Sequence, residues 1–162
     1  MSGIERVAKK SDLLVGVDLP AAAIGGIAAG FAYLAEMGVD LRLLKHQTDD
    51  LHLLGGFFVA DRVPARRLGL LIHLTNSLGL ALLYAAVHDR LPGPPWRRGV
   101  LFANVENLLL YPLAHLERVH PAVQRGELDR YWHPVAFLQS VPRHVAYGAV
   151  LGSLYGRLRR AR

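Results

Sequence analysis

LGLLIHLTNSLGLALLYAAV, residues 68–87, runs for twenty residues without an Asp, Glu, Lys or Arg, and its one histidine is His73. A helix on the surface of a water-soluble protein interrupts its apolar residues with charge every three or four positions. This stretch does not. As a helix it would be about 30 Å long, the thickness of bilayer hydrocarbon. It therefore reads as a membrane span, and the rest of the chain can be ordered around it.

Three more stretches are long enough to join it. Leu19 to Ala35 is uncharged and leads into Glu36 and Asp40, which carries the first span to about Leu44. Gly99 to Leu116 contains Glu106 and His115, and Pro134 to Tyr155 contains Arg143 and His144. A charged fraction of 20% and a mean hydropathy of +0.23 are modest for a membrane protein, but an average is less informative than an unbroken run. With 162 residues, one domain is expected over the whole chain. The fold class expected is all-α: an integral membrane four-helix up-and-down bundle with spans at 19–44, 68–87, 99–116 and 134–155.

Composition narrows the chemistry. The chain has no cysteine, which excludes disulfides, thiolate metal ligands and cysteine nucleophiles. Lys plus Arg exceeds Asp plus Glu by 19 to 13, and all but three of these bases are arginine, as in proteins of high-GC bacterial genomes. The bases form no stripe with interleaved aromatics, so nucleic acid is not an expected partner. Lys9/Lys10, Arg97/Arg98 and Arg157/Arg159/Arg160/Arg162 instead flank apolar segments, where lipid headgroups lie.

The bilayer is thus the expected partner and a bacterial inner (plasma) membrane the expected location. Arg6, Lys9 and Lys10 precede an apolar stretch longer than that of a cleaved signal peptide, which predicts an uncleaved signal anchor. The side holding both ends carries more Lys and Arg, so both termini are expected in the cytoplasm. LPGPPW, residues 91–96, is a turn on that side. On the other, DDLHLLGGFF at 49–58 predicts a short interfacial helix between the first and second spans, ending at Gly55/Gly56. Tyr131 and Trp132 suit an aromatic anchor at the interface.

Helices in lipid associate through close backbone approach. Gly26/Gly30, Gly148/Gly152/Gly156 and Ser77/Ala81/Ala85 mark the small-residue faces. They serve either packing within the chain or a homo-oligomer or larger membrane complex formed through the glycine faces. Pro112 and Pro142 are expected to kink the third and fourth helices.

Each span also carries an ionisable group: Glu36, His73, Glu106, and Arg143 with His144. A charge at mid-bilayer costs at least ~2.5 kcal/mol, so these groups are expected to face inward and to find partners. Asn76, Asn104 and Asn107 lie within a helical turn of them.

Four arrangements satisfy such a cluster. A structural one pairs Glu106 with Arg143 and leaves His73, His144 and the amides to a hydrogen-bond network. A metal centre would use Glu36, His73, Glu106 and His144, a ligand set suited to a divalent metal such as zinc, iron or manganese, although Arg143 beside His144 opposes a cation. Haem with His73 and His144 as axial ligands is weaker, because no attachment motif exists. A proton or ion pathway would run through Glu36, Asp40, His73 and Glu106. A second, weaker metal set lies on the outer side, where Asp49/His52 and Glu117/His120 form acid-x-x-His pairs; its plain alternative is solvated loop side chains.

Soluble-enzyme signatures such as GxSxG, the Walker A loop, GxGxxG and HExxH are absent. The expected function is a non-enzymatic membrane subunit or packing module. A membrane metalloprotein or metal-dependent enzyme and a proton or ion pathway are the alternatives.

Overall fold

The computed structural model describes residues 17–160. The basic stretch with Arg6, Lys9 and Lys10, on which the signal-anchor expectation rests, and Arg162 lie outside the described residues.

Every element among the described residues is helical. Helix α1 spans Leu19–Leu43; Asp18 caps it, its side chain accepting from the Ala21 N–H at 3.0 Å, and proline occupies the first turn, where no amide is needed. The short α2, Asp50–Gly56, is capped by Asp49. Helix α3 spans Arg62–Val87 and continues as a 3-10 turn over His88–Arg90. Helix α4 is Pro95–Leu110, followed by a 3-10 segment at Tyr111–Val119 and the single turn α5, Pro121–Gln124. Helix α6, Pro134–Arg160, closes the described chain and keeps its helical path through Pro142.

Among the described residues, two helices are long and apolar enough to cross a membrane: α1, and α3 with its continuation to Arg90. The third expected span is built differently from its sequence expectation. Its α-helix stops at Leu110, two residues before Pro112, which has no N–H to continue the ladder, and the chain tightens into the 3-10 form. The 16 residues of α4 amount to ~24 Å, short of the ~30 Å hydrocarbon core. Helix α6 is long enough at 27 residues but carries Gln139, Arg143 and His144 within it and arginines in its last turn.

The contacts fix the directions of the helices. Gly26 of α1 meets Ala81 of α3, while Gly30 meets Ser77, four residues further along α1 and four back along α3. The same reversal relates Gly25 and Asp40 of α1 to Leu151 and Arg143 of α6, and Gly99 and Asn107 of α4 to Gly148 and Ser140 of α6. The four long helices therefore alternate in direction along the chain. Helix α6 packs closely on α4 and α1, and α1 on α3. Tyr84 spans the wider gap between α3 and α4, its ring 5.4 Å from that of Phe102.

Small residues make the close seams. A Cβ on Gly99 would overlap the Gly148 carbonyl, and one on Gly152 would overlap that of Pro95. Gly55 and Gly69 allow α2 and α3 an equally close approach, against the Ala65 and Leu51 carbonyls. The glycine faces expected at Gly26/Gly30 and Gly148/Gly152/Gly156 are thus taken up within the chain. Behind them, Tyr84, Tyr147, Leu151 and Tyr155 fill the core beside the alanines.

Replacing Gly99 with valine should destabilise the fold by about 1–3 kcal/mol or more, because the clash is with backbone that cannot rotate away. Gly79, whose added Cβ would meet nothing within 4 Å, should accept alanine without loss and gain up to ~1 kcal/mol of helix propensity. Thermal unfolding of the two variants in detergent measures the contrast.

Candidate functional site

The site grows from the inner face of α1. Successive helical residues rotate by about 100°, so positions 26, 30, 33, 37 and 40 stay within ~40° of one another's mean direction, whereas position 36 is turned ~80° from position 26. The structure follows that geometry. Gly26, Gly30, Met37 and Asp40 are buried, and Glu36 is half-buried with no hydrogen bond or ion pair among the described residues.

Opposite Asp40 stands Arg143 of α6, only 1% exposed. All five of its N–H groups are used. Nε and one N–H of Nη2 donate to the two carboxylate oxygens of Asp40, at 2.6 and 2.8 Å. Nη1 donates to Oδ2 of Asp50 at 2.7 Å and to the Thr48 carbonyl at 2.9 Å. The second N–H of Nη2 reaches the Thr48 hydroxyl at 3.0 Å. The Tyr33 hydroxyl donates to the same Asp50 oxygen at 2.7 Å, and the Thr48 hydroxyl passes its proton toward Gln139, whose amide holds the His46 carbonyl at 2.9 Å. One guanidinium thereby ties α6 to α1 and to the entrance of α2. This corrects the structural arrangement expected from sequence, in which Arg143 paired with Glu106.

Glu106 instead faces His144, oxygen to Nε2 at 3.4 Å, while His144 Nδ1 lies 2.7 Å from the Ser140 carbonyl. Tyr33 sits between two imidazoles, its ring 5.1 Å from that of His73 and 5.2 Å from that of His144. Asn107 exchanges hydrogen bonds with Ser140 across the α4–α6 seam at 2.8 and 3.1 Å, and Asn104 turns back on its own helix to the Val100 carbonyl. His73 is 3.1 Å from the Gly30 carbonyl.

Two cavities flank this cluster. One of about 130 Å³ is lined by His73, Asn76, Glu106 and His144. The other, about 150 Å³, lies toward the loops and is lined by Asp50, Arg143, Tyr111 and Tyr131 among others. Tyr33 and His144 line both. Of the four expected metal ligands, three share the first cavity and Glu36 does not line it. No group of three or more His, Asp or Glu able to hold a metal ion occurs among the described residues.

The outer-face residues act as fasteners. Asp49 caps α2 and pairs with Arg66 and, at 3.9 Å, with Arg62 at the start of α3. Glu117 accepts the backbone N–H groups of Tyr131 and Trp132, the latter at 2.9 Å. His120 donates from Nε2 to the Leu53 carbonyl at 2.8 Å and accepts the Ala122 N–H on Nδ1, bonds that define a neutral ring. His52 is fully buried, and both its ring nitrogens lack a hydrogen-bond partner among the described residues, although Nε2 lies 3.4 Å from the Glu127 carboxylate. Asp49, His52 and His120 gather under the loops, while Glu117 closes a separate turn.

Tyr33, Thr48 and Asp50 are the participants that sequence inspection missed. The signal for Tyr33 lay in the glycine face of α1, which extends through positions 33, 37 and 40. Asp50 had no local signal, because its partner is 93 residues away.

Burial holds the His52 imidazole below its ordinary pKa of 6.5, against the opposing pull of Asp49 and Glu127. A base with a depressed folded-state pKa contributes its stability above the unfolded value and loses it as pH falls through the folded value. Thermal stability should therefore drop as pH is lowered from about 6.5 toward 5, and His52→Leu, which leaves no hydrogen bond broken, should flatten that slope in melts across the range.

No curated protein and no solved structure matches the chain. One family model does, over residues 17–162, which covers both cavities, the arginine hub and the loops that fasten them. The chain belongs to that family, a family of unknown function designated DUF6789.

Proposed function

We propose that the protein is a four-span bundle of the bacterial inner membrane, with both termini cytoplasmic, acting as a non-enzymatic membrane subunit or packing module. The observation that carries this reading is the inverted distribution of polarity. Arg143 is enclosed, while large apolar side chains face outward on all four long helices: Phe31 on α1, Leu71 and Leu83 on α3, Leu108 and Leu109 on α4, and Leu138 on α6. Water-soluble helices turn charge outward and apolar groups in, and exposed apolar surface on every side of a protein calls for an apolar surround.

The non-enzymatic part rests on how the ionic groups are spent. Arg143 and Asp40 satisfy each other, Asp49 and Glu117 hold loops, and His120 is fixed as a neutral ring. The cytoplasmic assignment rests on the end of the assembly where Arg159 bonds Asp89 at 2.7 Å. Arg90, Arg97, Arg98, Arg157 and Arg160 flank the same connection and the same helix end.

The native chain lacks cysteine, so single-cysteine variants report cleanly. A membrane-impermeant maleimide applied to spheroplasts should label an Arg118→Cys variant and spare an Arg97→Cys variant until the membrane is permeabilised. Equal labelling of the two, or recovery of the chain in the soluble fraction, would contradict the proposal.

A further inference from the structure

The charges within the Arg143 hub do not cancel. Asp40 and Asp50 each meet only donors, the arrangement of an ionised carboxylate, and a single guanidinium faces them. One negative charge is left over. Pairing Glu106 with a protonated His144 on the far side of Tyr33 adds one charge of each sign and does not remove it. Asp50, half-buried at the edge of the hub, carries that excess and gains by recruiting a counter-charge.

The geometry restricts what that counter-charge is. An anion is excluded twice, by the sign of the excess and because Arg143 has no N–H left to give. What the 150 Å³ cavity offers is acceptors. Asp50 lines it, and its second carboxylate oxygen, Oδ1, takes no hydrogen bond from the described residues, since Arg143 and Tyr33 both bond Oδ2. Tyr131 lines it as well, and its hydroxyl oxygen is buried without a partner among the described residues. Tyr33 and Tyr111 line it too, beside Arg143 and His144, and aromatic rings attract ammonium groups.

We propose that this cavity, bounded by Tyr33, Asp50, Tyr111 and Tyr131, binds a protonated primary amine. The ammonium donates to Asp50 Oδ1 and to the Tyr131 hydroxyl, and its carbon chain lies along the tyrosine rings. The space admits an ammonium head with a few carbons. Such a group comes either from a free alkylamine or from the headgroup of an aminophospholipid. The proposal rests on the cavity and not on the number of spans, so failure of the binding test leaves the labelling result above untouched.

Trp132 supplies the readout, because its ring stacks on that of Tyr111 at 4.9 Å. In a Trp96→Phe background it is the only tryptophan. Titrating propylammonium chloride into the detergent-solubilised full chain should give a saturable change in Trp132 emission, which 1-propanol and sodium chloride do not reproduce. Asp50→Asn should weaken it by about tenfold or more, the loss expected for a hydrogen bond to a charged group. Tyr131→Phe should weaken it about fivefold while leaving the melting temperature in place, since that hydroxyl bonds to none of the described residues; it keeps the test sharp if Asp50→Asn does not fold.

Bilayer nanodiscs separate the two sources. If the aminolipid is the occupant, phosphatidylethanolamine discs show the bound emission without added amine and phosphatidylglycerol discs do not. If a free amine is the occupant, both discs titrate alike. An equal response to 1-propanol, no saturable response in any medium, or binding unchanged by both substitutions would overturn the proposal.

Discussion

Arg143 spends all five of its N–H groups on acceptors from two other segments, Asp40 on α1 and the Thr48–Asp50 turn that opens α2. A buried guanidinium survives only when it is paired and its donors are filled, so the positions of three chain segments are set by one side chain. The two bonds to Asp40 fix the register of α6 against α1 as well as their distance, because a bidentate fork tolerates little rotation. The bonds to Thr48 and Asp50 hold α2 at the end of that pair, and the glycine contact between α2 and α3 carries the restraint to a fourth segment. Small residues bring the backbones together; the arginine decides which residues then face each other.

The same economy accounts for the cavities. Tyr33 is drawn toward Asp50 and His144 toward the Ser140 carbonyl, which leaves both side chains standing as a partition between two polar spaces rather than filling either. The wider gap between α3 and α4 is closed at one end by Tyr84 and left polar at the other by His73, Asn76 and Glu106.

Much of this was legible in the sequence. The uncharged run at 68–87 marked α3, the glycine steps at 26/30 and 148/152/156 marked the seams, and the DDLHLLGG stretch marked α2. Local patterns failed where the partner was distant. Arg143 was visible as a buried charge, but Asp40 is 103 residues away and nothing near either residue names the other. Glu106 was the nearer-looking partner because it sits between two asparagines in an apolar run; in the fold those asparagines bond Ser140 and the Val100 carbonyl, and the glutamate meets His144. Glu36 and Asp40 lie one helical turn apart, and only following the glycine face by 100° steps separates the half-buried one from the buried one. Pro112 was visible too, but a proline alone does not say whether a helix ends there: α6 continues through Pro142, whereas α4 stops before Pro112.

The central claim is that the Asp40–Arg143 contact organises the molecule, and a double-mutant cycle on that pair tests it most directly. Reversible unfolding of the Asp40→Leu, Arg143→Met and doubly substituted proteins in mixed micelles should show Arg143→Met costing about 3–5 kcal/mol, because it strips Asp40 and Asp50 of their shared partner, and Asp40→Leu costing less, because Arg143 keeps Asp50. The double substitution should recover at least ~2 kcal/mol of the summed loss. Single costs that simply add, to within ~0.5 kcal/mol, would mean that the two side chains do not interact and that something else holds α1, α2 and α6 in place.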